Sequence, residues 1–101
     1  MRYIRLSTYD MTKGTFNELT ELCEKGVLPI FAEKPGFVNF GLTDIGDHKV
    51  VSISIWETHE AAQNSANVAA GWVRENISDR VRLVTGYVGE LALFHGAPVA
   101  A

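Results

Sequence analysis

The sequence predicts an α+β domain of order βαββαβ, and three features carry that reading. Strand signals cover about residues 2–10, 37–44, 49–57 and 82–95. Two helical stretches, one beginning at Thr15 and one running from about 59 to 78, separate the first strand from the second and the third from the fourth. The 101 residues are 47% hydrophobic and 21% charged, with no repeat, low-complexity run or Ser/Pro-rich linker, which fits one domain over 1–101. Two βαβ units of this kind give a four-stranded antiparallel sheet in a ferredoxin-like arrangement, with both helices on one face.

In the first strand Ile4 and Leu6 alternate with Tyr3, Arg5, Ser7 and Tyr9, so its two faces meet different surroundings. Met11 to Gly14 makes the turn. Phe16, Leu19, Leu22, Cys23, Val27, Ile30 and Phe31 then draw one apolar face down a helix, opposite Glu18, Glu21, Glu24 and Lys25. Pro29 must kink or end that helix, because it lacks an N–H and its ring clashes with the preceding turn, and Pro35-Gly36 closes the segment.

Phe37–Asp44 and Lys49–Glu57 form a hairpin about a polar Gly46-Asp47-His48 turn. Pairing 44 with 49 puts Val38, Phe40 and Leu42 on one face with Val51, Ile53 and Ile55, an apolar face that helices must cover. The opposite face then carries Phe37, Asn39 and Gly41 beside Ser52, Ser54 and Trp56, and suits a partner sheet or a ligand. Thr58 is placed to cap the second helix, with Glu60 near its positive end. The inner positions of that helix are small: Ala61, Ala62, Ser65, Ala66, Ala69 and Ala70 imply either close approach to the sheet or a cavity beneath it, with a break at Gly71 open. Gly96-Ala97-Pro98 leads into a short apolar tail.

Composition bounds the function. A chain of this size buries only roughly 60 to 65% of its unfolded surface, so this much hydrophobic content favours self-association, and a two-fold homodimer would cover the open sheet face with an identical one. Net charge −3 leaves no basic surplus for phosphates or anionic lipid, so no nucleic acid and no membrane partner is expected. The opening MRYIRLSTYD lacks the apolar run of a signal peptide, and one cysteine, Cys23, on the apolar helix face reads as a buried thiol of a cytoplasmic protein.

Chemistry-bearing motifs are sparse. His48, His59 and His95 are scattered, without a Cys pair or an HxH or HxxxH spacing, so no metal is expected. There is no GxGxxG, Walker or GxSxG sequence. Trp56 and Trp72 serve either core packing or the walls of a flat-ligand pocket.

Several short sequences resemble the antibiotic biosynthesis monooxygenase family of dimeric α/β barrels over roughly residues 2 to 96. They are Val50–Ile55 running into Trp56-Glu57-Thr58 and an Ala-rich helix, Pro35-Gly36-Phe37 before the second strand, and Thr12-Lys13-Gly14 before the first helix. The resemblance implies the homodimer and a range of chemistries. Haem-degrading members use an Asn, a Trp and a His at positions that here hold Ser7, Ser65 and Glu75, none of which can serve as the amide or the neutral imidazole ligand, so no haem or other cofactor is expected. Quinone-forming members place an Asn four residues before a Trp on the second helix; here that position is Val68, with Asn67 one residue away, which leaves Asn67 and Trp72 as the closest pair.

Two functions follow from the resemblance. One is a cofactor-independent monooxygenase acting on a small aromatic or polyketide-like molecule, with Asn67, Trp72, Ser65 and Ser7 as substrate-binding candidates and the catalytic group unassigned. The other is a non-catalytic dimeric module of the same fold that binds a small ligand or serves structure. A cavity under the Ala-rich helix, reached by Asn67 or Trp72, favours the first, and a filled interior the second.

Overall fold

The computed structural model describes residues 1–95, and the Gly96-Ala97-Pro98 segment lies outside them. The strands are β1 (Arg2–Met11), β2 (Phe37–Gly46), β3 (Lys49–Trp56) and β4 (Val81–Leu91); the helices are α1 (Phe16–Lys25), α2 (Val27–Ala32) and α3 (His59–Asn76). The strands form one antiparallel sheet in the order β2-β3-β1-β4, and the whole is the ferredoxin-like βαββαβ arrangement.

α1 and α3 begin where side chains satisfy free backbone N–H groups, whereas α2 follows Gly26 without a side-chain cap. Thr15 caps α1 in a reciprocal box, its hydroxyl accepting from Glu18 N at 3.2 Å while Glu18 Oε1 accepts from Thr15 N at 2.9 Å. Thr58 caps α3 by accepting from Ala61 N at 3.0 Å. The first helical stretch breaks at Gly26 rather than at Pro29 itself. Pro29 sits in the first turn of α2, where no intrahelical N–H is needed, and its ring excludes the carbonyl four residues earlier, at Lys25. Gly71 leaves α3 unbroken, and β4 ends at Leu91, short of residue 95.

The hairpin differs from the sequence reading in register, and the difference changes both faces of the sheet. Asp44 pairs with Val50 and Gly46 with Lys49, because Ile45 is an extra residue; a second irregularity lies at Val38, between Phe37 opposite Trp56 and Asn39 opposite Ile55. A slip of one residue moves every side chain of a strand to the other face. Phe40 and Leu42 therefore stand beside Ser54 and Ser52, not beside Ile53 and Ile55. The turn itself is the two residues Asp47 and His48, both at positive φ (53° and 59°), as a tight hairpin demands.

The helix-covered face thus carries Tyr3, Arg5, Ser7 and Tyr9 of β1 in line with Trp56, Ser54, Ser52 and Val50 of β3. Trp56, expected on the open face, is 1% exposed and packs edge-on against Phe31 and Phe37, each at 5.4 Å between ring centres. The face turned away from the helices carries Ile4 beside Ile55, Leu6 beside Ile53 and Thr8 beside Val51, with Tyr87 opposite Leu6 on β4. On β1 and β3 it is mainly aliphatic, with Tyr87 of β4 its exposed aromatic ring. No helix among the described residues is long and apolar enough to cross a membrane.

Candidate functional site

The helix-covered face holds a polar cluster inside an apolar core. Arg5, in the middle of β1, is 1% exposed. Its Nε donates to Ser54 Oγ at 3.0 Å, one terminal nitrogen to Ser7 Oγ at 2.8 Å and the other to Ser52 Oγ at 2.8 Å. Sheet geometry builds this cage: Arg5 lies opposite Ser54 and Ser7 opposite Ser52, so period-two alternation puts all four side chains on one face. The Phe31 ring of α2 covers the guanidinium at 5.6 Å, and Trp56 Nε1 donates to Ser54 Oγ at 2.8 Å.

No carboxylate accompanies this cation. The ion pairs among the described residues are Lys13–Asp79, Lys49–Asp10 and Arg82–Asp10, all at the surface, and the buried polar residues are Arg5 and serines only. Burial lowers the Arg5 pKa from its ordinary value and the nearby Tyr9 hydroxyl works against that shift. Arginine nonetheless stays protonated at neutral pH, so the core contains an uncompensated positive charge.

Against this cluster lies a cavity of about 30 Å³, between the sheet and the helices. Arg5, Ser52 and Tyr9 reach it from the sheet, Cys23, Phe31 and Val27 from α1 and α2, and Ala69 and Trp72 from α3. That volume exceeds the ~10–15 Å³ needed for one water and is far below the ~150 Å³ of a cavity that takes a benzene ring. Trp72 is a half-buried wall lying on Gly26, where an added Cβ would collide with the indole. Burial raises the Cys23 thiol to about 11, which makes it an inert part of the wall.

The residues singled out from sequence fall in different places. Ser7 belongs to the cage, as an acceptor for Arg5, and Trp72 lines the cavity. Ser65 is buried in α3 and donates to Ala62 O at 2.6 Å. Asn67 is exposed and lines, with Ser65, a separate open groove among Gly36, Trp56 and His59, so Asn67 and Trp72 do not meet in one cavity. Sequence reasoning missed Arg5, Ser52 and Ser54. Their signal is there as two polar i, i+2 pairs, Arg5/Ser7 and Ser52/Ser54, each alternating with apolar residues in mid-strand.

The sequence matches no family model and no curated protein. Solved structures do share the fold. The cofactor-independent oxygenase SnoaB from Streptomyces nogalater matches with TM-score 0.64 and 17% identity, over 97% of this chain and 95% of its own. A putative antibiotic biosynthesis monooxygenase from Chloroflexus aurantiacus matches with TM-score 0.68 and 13% identity, over 95% of this chain and 98% of its own. A haem-degrading protein from Mycobacterium tuberculosis matches with TM-score 0.65 and 21% identity, over 95% and 100%. At these identities the likeness is one of fold, and it spans nearly the whole chain.

Proposed function

We propose that this protein is a cofactor-independent monooxygenase for a small aromatic or polyketide-like substrate, acting as a homodimer. The observation that carries the reading is the chamber between sheet and helices, lined by apolar side chains around the uncompensated Arg5 cation, Ser52 and Tyr9. The fold shared with an oxygenase that needs no cofactor supports it. In such a reaction the substrate is its own reductant: an acidic methylene loses a proton, the resulting carbanion gives electrons to O₂, and one methylene plus one O₂ become one carbonyl plus one water. The protein's part is to orient the substrate, exclude water and stabilise the charge that develops. Trp72 would flank the substrate ring, Ser7 would position Arg5, and Ser65 and Asn67 would line the outer groove.

Oxygen uptake tests this. Chelator-treated protein should consume O₂ with electron-rich phenols that bear an acidic methylene, one O₂ per substrate, with a ketone product. Uptake no faster than in buffer, across such a panel, would refute the oxygenase. One observation favours the second reading, a non-catalytic module: the cavity of about 30 Å³ does not hold a ring without rearrangement. Ligand binding without O₂ uptake would establish that reading.

The homodimer rests on the aliphatic outer face, where Ile4, Leu6, Val51 and Ile53 stay partly exposed in a single chain. Mass-resolved sizing should give twice the chain mass, and Leu6→Lys should give a folded monomer. A wild-type monomer at micromolar concentration would refute it.

A further inference from the structure

The Arg5 cage has donors to spare and no anion to receive them. A guanidinium carries five N–H groups, and three of Arg5's go to the serines, leaving two with only the neutral Tyr9 hydroxyl nearby. Ser7, Ser52 and Ser54 each spend their oxygen on accepting from Arg5, and Ser54 also accepts from Trp56. Among the described residues no acceptor takes the hydroxyl protons of these three serines, whereas Ser65 gives its own to Ala62 O. No buried side-chain nitrogen or oxygen among the described residues lacks a partner, but the serine oxygens are engaged as acceptors. A net positive charge sits in the same place with no carboxylate, and Arg5 and Ser52 both open onto the cavity.

We infer that Arg5 and Ser52 form a binding site for an ionised oxygen of a small aromatic ligand, a carboxylate or a phenolate. This deepens the functional reading above and rests on it for the aromatic part alone. An anionic oxygen supplies the missing counter-charge and a strong acceptor, and its hydrogen bonds are charge-assisted in largely apolar surroundings. The cavity takes the oxygen, and on rearrangement of the half-buried Trp72 wall the ring lies against the indole. Ser7 and Ser54 are positioning residues: each holds one edge of the guanidinium so that its remaining N–H groups are fixed in direction.

Calorimetric titration with 2-naphthoate and 2-naphthamide, alike in shape and different in charge, tests the site. The wild type should bind the acid at least tenfold more tightly than the amide. Arg5→Met should abolish that preference, and Ser52→Ala, which keeps the cation, should reduce it severalfold. Equal binding of the two probes, binding of neither, or an undiminished preference in Arg5→Met would overturn the inference. Should Arg5→Met fail to fold by circular dichroism, Ser52→Ala carries the test, and an unchanged preference there overturns it. 4-Nitrophenol separates the two sources of the anion. A bound dye showing its phenolate band at a pH where the free dye is protonated assigns a phenolate, and acid-selective binding of naphthoate without that band assigns a carboxylate. The two readings fail separately: acid preference without O₂ uptake rejects the oxygenase and keeps the anion site, whereas O₂ uptake undiminished in Arg5→Met does the reverse.

Discussion

If Arg5 is held without a counter-ion, neutral partners must stabilise it, and the coupling between Arg5 and Phe31 measures one of them. Phe31 is 0% exposed and meets three neighbours: the Arg5 guanidinium at 5.6 Å, the Trp56 ring at 5.4 Å and the Phe40 ring at 5.7 Å. Replacing Phe31 by Leu keeps most of the apolar volume and removes all three. Two edge-on aromatic pairs are worth about 0.5–1.5 kcal/mol each beyond area. A cation over a ring is worth about 0.5–1 kcal/mol at the surface and about 2 when desolvated. Burial argues for the upper figure here and the long centroid distance for the lower, so about 1 kcal/mol is expected from that contact. Phe31→Leu should therefore cost roughly 2–4 kcal/mol in urea unfolding. The discriminating quantity is the double-mutant cycle with Arg5→Met, because the Trp56 and Phe40 terms are common to both backgrounds and cancel. A coupling near 1 kcal/mol is expected; one below about 0.3 kcal/mol, the usual scatter of additivity, would refute the idea that the ring holds the charge.

Further tests address the walls and the surface. Gly26→Ala should cost about 1–3 kcal/mol by urea unfolding, since its φ of −105° suits any residue and only the Trp72 ring forbids a Cβ; Trp72→Leu should relieve most of that cost. Cys23, with its thiol raised to about 11, should react with a disulfide reagent at pH 8 only as fast as the protein unfolds, and rapid native labelling would contradict its burial. Asp10 has its pKa lowered by hydrogen bonds from Lys49 at 2.8 Å and Arg82 at 2.7 Å. A depressed carboxylate contributes stability above its unfolded pKa and loses it as pH falls through the native one, so Asp10→Asn should flatten the acid limb of the stability profile and leave little difference in slope above pH 6.

What the sequence could and could not convey follows from the physics of each signal. The helices were legible because periodicity and caps are local: Thr58 and the apolar spacing from Phe16 to Phe31 need no knowledge of the rest of the chain. Which face of β1 points inward was not, since alternation reports that two faces differ and both of these are demanding. Ile4 and Leu6 are the apolar set, yet they face away from the helices, while Arg5 and Ser7 face the core. The hairpin register failed for a related reason: Val38 and Ile45 are single extra residues, invisible to a period-two count, and one such residue is enough to exchange the faces. The candidate pair on α3 could have been tested from geometry alone. Asn67 and Trp72 are five residues apart, about 140° around a helix of 3.6 residues per turn, so they project to different sides and line separate spaces. Once the register is right, the polar pairs on β1 and β3 become adjacent, and a buried arginine with three serines and no acid is the one arrangement in the core that packing does not explain. Packing alone would favour an apolar side chain at Arg5, because taking an unpaired charge out of water costs several kcal/mol. The proposed anionic ligand would supply what that arrangement lacks, which is why the charge, and not the cavity's size, is the feature on which the proposal of a site in this interior rests.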